Sequence, residues 1–271
     1  FVGEFRNNKP WNGVTYSPSG EIIDKAINGV KHKIESDPEP QPNVAGNRHA
    51  LVVGNAKYKS SPLKNPVNDA EDITAALKRV GFSVQYMANV KRKEFRRAIR
   101  DFTRRLSKGD VGLFYYSGHA VQSKGENYLI PIAHDVEQEF ELSDETVRVG
   151  SILEALEESK NSFNVVVLDA CRNNPFRSLF RSTNRGLAFQ TAPRGTLIAF
   201  SAASGQVASD GGADRNSPFT KHLVKVITIP GISITEVFMD VRISVLKDTN
   251  GAQTPWEYSS LTSQFYFSPR Q

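Results

Sequence analysis

The stretch FNVVVLDACRNNPF, residues 163–176, decides how the chain reads. Val165, Val166, Val167 and Leu168 form a continuous apolar run of β-branched and aliphatic side chains, the pattern of a strand buried on both faces. Cys171, the chain's single cysteine, follows that run past Asp169, at the edge of a polar turn. A lone thiol is commonly a small buried hydrophobe. A thiol placed just beyond a central strand is also where chemistry on a parallel sheet resides, because ligands bind outside the carboxyl ends of the strands. Both readings stand at this point.

Working outward, similar apolar runs occupy residues 49–54, 82–87, 111–116, 196–200 and 264–267. Helical periodicities separate them at 67–80, 91–108, 151–159, 218–226 and 234–246. Apolar strands alternating with amphipathic helices predict an α/β fold, a mostly parallel six-stranded sheet with helices on both faces. Residues 1–47 differ. FVGEFRNNKPWNGVTYSPSG is rich in Asn, Gly, Pro and Ser, a short helix is expected over 21–34, and DPEPQPN (37–43) reads as a linker. No internal repeat is evident. The expected division is an extension with a Pro-rich linker over 1–47 and a main domain over 48–271.

Composition narrows the class. Of 271 residues, 39% are apolar and 23% charged, as in ordinary globular proteins. No apolar stretch is long enough for a bilayer, so no membrane partner is expected. One cysteine excludes an internal disulfide and a cysteine-rich zinc site. The chain starts at Phe1, which reads as a truncated or processed terminus and leaves cytoplasmic, periplasmic and secreted locations open. The formal charge of +5 raises the question of nucleic acid. Its densest source, KRKEFRRAIRDFTRRLSK (91–108), carries Phe95, Ile99, Phe102 and Leu106 at helical spacing. It therefore reads as an amphipathic helix with a solvated basic face, and no nucleic-acid motif accompanies it.

Two strands end in reactive residues. LFYYSGHA places His119 beyond the third strand, and VVVLDAC places Cys171 beyond the fourth. Both open onto the same rim. A histidine beside a cysteine takes its proton or stabilises its thiolate, and the thiolate is the nucleophile. Gly118, Ala120 and Ala170 keep bulk away where a substrate backbone would approach. Taken singly, the cysteine can be structural and the histidine a hydrogen-bonded rim residue; the joint placement favours a dyad.

In caspases a Gln-Ala-Cys tripeptide follows the histidine by about fifty residues. Here Asp-Ala-Cys follows His119 by 52 positions (171 − 119). Around it HALVVGNAKY, NPVNDAEDITAAL, FYYSGHA, NYLIPIA, VVVLDACRNNPF, SAASGQVASDG, NSPFTKHL and PWEYSSLTSQFYF follow in order. Over residues 49–267 the chain resembles the bacterial caspase-like peptidases, the orthocaspases related to metacaspases, in cysteine peptidase clan CD, family C14. The resemblance implies the caspase fold, with a large-subunit-like part to about residue 176 and a small-subunit-like part from about 190. It implies a cysteine endopeptidase with Cys171 as nucleophile and His119 as acid/base partner. The oxyanion is then held by the backbone N–H groups of Cys171 and Ala120. Ala120 stands where the family has glycine, and Asn173 or Asn174 where it has another.

The resemblance also bears on substrates. Caspases hold a P1 aspartate with two arginines and a glutamine. Asp169 takes the glutamine's place, Asp210 falls at or near one arginine, and Lys64 followed by Asp69 occupies the region of the other. Three carboxylates would form an S1 pocket for Arg or Lys. Plainer roles exist for each: a helix cap for Asp69, an oriented strand end for Asp169, a glycine-rich turn for Asp210. Arg177, Arg181 and Arg185 lie where caspases are nicked, so self-cleavage is an expectation beside a merely solvated basic loop. The dyad itself requires no cofactor and no metal. Metacaspases often use calcium, and Asp135, Asp144 and Glu145, with Glu137, Glu139 and Glu141 between, are the acidic residues of the corresponding loop. The expected partners are protein or peptide substrates met by a monomer. The competing reading is a catalytically weak or inactive caspase-like scaffold or binding module, with residues 1–47 as a contact segment; a prosegment covering the cleft and a strand added to the sheet are the other roles for them.

Overall fold

The computed structural model describes residues 2–7, 9–16, 22–33, 46–171, 187–188, 190–204, 206 and 208–270. The chain divides into two compact units, Phe1–Pro42 and Asn43–Gln271.

The first unit is a four-stranded antiparallel meander of β1 (Val2–Arg6), β2 (Lys9–Tyr16), β3 (Ile22–Ile27) and β4 (Val30–Lys33). The helix expected over 21–34 is therefore a hairpin. Asn28 and Gly29 carry φ of 52° and 79°, the paired positive angles of a tight two-residue β-turn. An Asn-Gly pair flanked by apolar residues sets the turn, and that local preference overrides the isoleucine spacing. A second feature escaped the sequence pattern: Asn7, 21 positions earlier (28 − 7), turns the first hairpin with φ 51°.

The second unit runs β5 (Arg48–Gly54), α1 (Pro66–Arg79), β6 (Ser83–Ala88), α2 (Arg92–Thr103), β7 (Val111–Ser123), β8 (Glu126–Leu129), α3 (Leu142–Glu145), β9 (Val147–Arg148), α4 (Val149–Glu158), β10 (Phe163–Cys171), β11 (Thr196–Phe200), α5 (Pro218–Val226), α6 (Ile234–Asp248) and β12 (Trp256–Ser259). The main sheet has the order β12-β11-β10-β7-β5-β6; β8 continues from β7, and β9 pairs with β8. All pairings along the main path are parallel except β11 with β12.

Alternation along the central strands divides the core. Ala50, Val52, Leu113, Tyr115, Val165 and Val167 pack with Ile73, Leu77, Leu223 and Val237 of α1, α5 and α6. Leu51, Val53, Phe114, Tyr116, Val166 and Leu168 pack with Phe95, Phe102, Ile152 and Leu156 of α2 and α4. Each such side chain fully buried contributes about 1.5–3 kcal/mol. In α2 the buried stripe is Phe95, Ala98, Ile99 and Phe102, while Lys93, Arg96, Arg97 and Arg100 are exposed. The basic tract thus has the amphipathic form its spacing predicts.

The final strand differs from expectation. Residues 264–267 are not a strand, although Phe265 and Phe267 are buried. Their carbonyls serve other partners. Phe265 O accepts from Ile234 N at 2.8 Å, and the Arg48 guanidinium donates to Tyr266 O and Phe267 O at 3.2 and 2.6 Å. The last strand is β12, an edge strand whose half-solvated WEYS carries a weaker apolar signal. Strand ends differ too. β7 and β10 extend through His119 and Cys171 instead of stopping short of them, because β10 pairs with β7 to the last residue and β8 pairs with β7 beyond it.

Candidate active site

Cys171 and His119 are partners in register on adjacent parallel strands, β10 and β7. Neighbouring strands run about 4.8 Å apart, so the sheet itself brings these two backbones together. The preceding pairs are Ala170 with Gly118 and Asp169 with Ser117. The thiol of Cys171 lies outside the described atoms.

The His119 backbone is held from both sides. Its N–H donates to the Tyr58 hydroxyl at 2.9 Å, and its carbonyl accepts from the Tyr116 hydroxyl at 2.8 Å. Those hydroxyls lie 3.2 Å apart, and the Tyr58 and His119 rings meet at 4.4 Å between centroids, tilted by 51°. Gly118 makes room for this arrangement. A Cβ there would stand 2.6 Å from Tyr116 Oη and 2.7 Å from Tyr58 Oη. Nε2 of His119 meets the Ser61 carbonyl at 2.7 Å. A carbonyl only accepts, so Nε2 carries the proton and Nδ1 presents the lone pair. Nδ1 is buried with no hydrogen-bond partner among the described residues. Burial holds the His119 pKa below the ordinary histidine value, against the opposing effects of Ser61 and Asp210. At neutral pH this imidazole is a neutral base with its free nitrogen available.

Ala120 is buried at 2% exposure and packs into the α2/α4 core. It is not among the described residues with positive φ, so the Cβ that replaces the family's glycine imposes no backbone strain.

The three aspartates converge near this rim. Asp69 on α1 is fully buried, and Asp169 on β10 is 3% exposed. Asp69 Oδ1 accepts the Ser217 N–H at 3.0 Å and Oδ2 accepts the Ser117 hydroxyl at 3.1 Å. Asp169 Oδ2 accepts the Thr220 hydroxyl at 2.7 Å and also the Ser217 hydroxyl. Half-buried Asp210 accepts Lys64 N–H at 2.8 Å and Asn65 N–H at 3.3 Å. Burial and then the Asp169 charge push Asp69 up to about 8. Burial likewise raises Asp169, with hydroxyl donors opposing and Asp210 adding repulsion. Asp69 does not cap α1, whose N-cap is Asn65. Asp210 does bind the turn before that helix, so it joins the cluster while holding a loop.

Other candidates do not enter this geometry. Asn173, Asn174, Arg177, Arg181 and Arg185 lie outside the described residues. Among the described residues no cluster of three or more His, Cys, Asp or Glu side chains is arranged to hold a metal. Two carboxylates of the acidic loop make local hydrogen bonds. Glu141 accepts the N–H groups of Glu137 and Gln138 at 2.8 and 2.9 Å, and Glu139 accepts the Ser123 hydroxyl. The residues that sequence reasoning passed over are Tyr58, Ser61, Ser217 and Thr220. Only Ser217-Pro218 carried a signal, that of a helix N-cap before an N1 proline.

A parallel sheet that sets histidine and cysteine in register on two central strands, with helices on both faces, defines the caspase-like class. The family described as "Caspase domain" matches residues 47–266, and the chain belongs to that family, the C14 cysteine peptidases. It is 29% identical over 153 residues to the human "Mucosa-associated lymphoid tissue lymphoma translocation protein 1", and 30% identical over 153 residues to the homologue from Mus musculus. Each match covers 56% of this chain, which spans only 18% of the length of either relative. Caspase-1 from Spodoptera frugiperda superposes with a TM-score of 0.63 at 16% identity, covering 88% of this chain and 96% of the other. At that identity the likeness concerns the fold.

Proposed function

We propose that this chain is a cysteine endopeptidase that cleaves proteins after arginine or lysine. Cys171 attacks the scissile carbonyl. His119 takes the thiol proton at Nδ1 and returns it to the leaving amine, while Ser61 and Tyr58 fix the ring and tautomer. The backbone N–H groups of Ala120 and Cys171 hold the developing oxyanion. Asp69, Asp169 and Asp210 form the S1 pocket, where carboxylates match guanidinium and ammonium by charge.

The observation that supports this reading most is the register of Cys171 against His119, with Asp169 two residues before the cysteine and Asp69 beside it. In the same reading, Arg177, Arg181 and Arg185 are self-processing sites. A fluorogenic library varied at P1, run on wild type beside Cys171→Ala, tests the assignment. Turnover confined to Arg and Lys, and lost in the variant, is expected; efficient turnover after Asp overturns it. Intact-mass analysis of the two proteins tests self-processing, since cuts after the three arginines belong to the wild type alone.

A further inference from the structure

We propose that Ser217 and Thr220, at the N-terminus of α5, are positioning residues that set specificity: they hold Asp169 as the anion of the Asp69–Asp169 pair, the charge that a basic P1 side chain meets. The proposal rests on the functional reading above.

Two buried carboxylates in mutual repulsion do not both ionise readily, so the donors around them decide which one bears the charge. Those donors are unequal. Asp169 Oδ2 receives two hydroxyls, from Ser217 and from Thr220 at 2.7 Å. Asp69 receives one hydroxyl, from Ser117, one backbone N–H, from Ser217, and the side-chain amide of Asn216, which also donates to Asp72.

The direction of the hydroxyl bonds is set by the surrounding network. Ser217 Oγ is the N-cap acceptor of the Thr220 N–H at 3.0 Å, so its own proton is free for Asp169. Thr220 Oγ1 gives its proton to Asp169 and therefore accepts from Tyr115 Oη at 2.6 Å. Tyr115 is fully buried, and burial followed by the two aspartates keeps its phenol protonated. The chain Tyr115 to Thr220 to Asp169 thus points its hydrogens at one carboxylate, while the first turn of α5 adds the positive end of a helix.

The other groups facing this pair are also accounted for. Asp210 adds negative charge from the loop side, Lys64 stands beside Asp210 through its backbone, and His119 is neutral. Ser201 adds a further hydroxyl to Asp169. None of these favours ionisation of Asp69 over Asp169. Asp69 is left as the proton holder, within reach of Ser117.

Thr220→Val tests this with the shape of the side chain kept. Loss of one hydroxyl donor to an anion is worth about one pKa unit, a tenfold effect. The expected result is a KM for an Arg-P1 peptide raised about tenfold. The acid limb of its kcat/KM profile should move up by about one pH unit, because Asp169 must now ionise unaided. Thr220→Ser should restore both. Ser217→Ala should move the profile the same way; it keeps the N–H to Asp69 and serves as the second variant should Thr220→Val not fold. Far-UV circular dichroism and Tm establish folding in each case. A folded Thr220→Val, or failing that Ser217→Ala, with wild-type KM and wild-type pH midpoint overturns the proposal while leaving the Arg/Lys reading intact. A wild type that turns over no Arg- or Lys-P1 peptide at any pH overturns both.

Discussion

Asp69 and Asp169 lie on different elements, yet one residue binds both: Ser217 gives its backbone N–H to Asp69 and its hydroxyl to Asp169. The pair is a coupled acid, and its ionisation governs what the pocket attracts. With Asp69 raised to about 8, the pocket gains charge as pH rises through that value. The kcat/KM for Arg-P1 peptides, which reports ionisations of the free enzyme, should therefore keep rising toward pH 8. Asp169→Asn removes the carboxylate two residues before Cys171 and should lower that kcat/KM by about a hundredfold, the cost of losing a buried charge-assisted contact. A P1 profile of Asp169→Asn indistinguishable from wild type would remove Asp169 from the pocket.

Stability should follow the same pair with the opposite sense. Asp69 has a folded-state pKa of about 8 against 3.8 unfolded, so between those values the folded chain keeps a proton that the unfolded chain releases. Its contribution is fully present below pH 3.8 and is lost as pH climbs toward 8, at about 1.4 kcal/mol per unit. Asp69→Asn keeps an acceptor for the Ser217 N–H and offers an amide to Ser117, without a proton to lose. Urea denaturation should show the variant more stable than wild type at pH 8, with the gap closing near pH 4. A gap that widens on acidification would contradict the assignment.

Tyr58→Phe isolates the clamp on His119, the proposed acid/base. The ring 4.4 Å from the imidazole remains, but the backbone N–H of His119 loses its acceptor. An unpaired buried donor costs about 1–3 kcal/mol. Because the clamp acts on the dyad and not on S1, kcat should fall about tenfold with KM little changed. An equal kcat in the variant would show that Gly118 and the sheet alone position the imidazole.

Much of this fold was legible because its central strands are buried on both faces. A run such as Val165–Leu168 has no other economical reading, although β10 continues past it to Cys171. The closeness of Cys171 and His119 was legible for the same reason, since in-register parallel pairing carries one strand end to the other. The hairpin over 22–33 was obscured by isoleucines that also suit a helix, and β12 by its half-exposed edge position. The supports of the site were not legible at all. Tyr58 and Ser61 reach His119 across sequence separations of 61 and 58, and Ser217 reaches Asp169 across 48. Nothing local in a tyrosine or serine announces such a contact; only the closed sheet creates it.

Arg48 makes the last prediction, and it concerns the end of the sheet opposite the site. At the start of β5 its guanidinium donates to Val80 O, Phe267 O and Tyr266 O and lies 5.1 Å from the Phe265 ring. Burial lowers its pKa, but a guanidinium stays charged at any working pH. Arg48→Met keeps the apolar stem against Phe82 and Phe265 and removes all three donors. Hydrogen bonds from a charged group are worth about 1.5–3 kcal/mol each, partly offset by the charge no longer being desolvated. A net loss of about 3 kcal/mol is expected, seen as a Tm lowered by about 6–12 °C. The dyad lies at the far end of the strands, so kcat/KM at 25 °C should be retained. An unchanged Tm would mean that Phe265 and Phe267 hold the carboxyl-terminal segment by apolar burial alone.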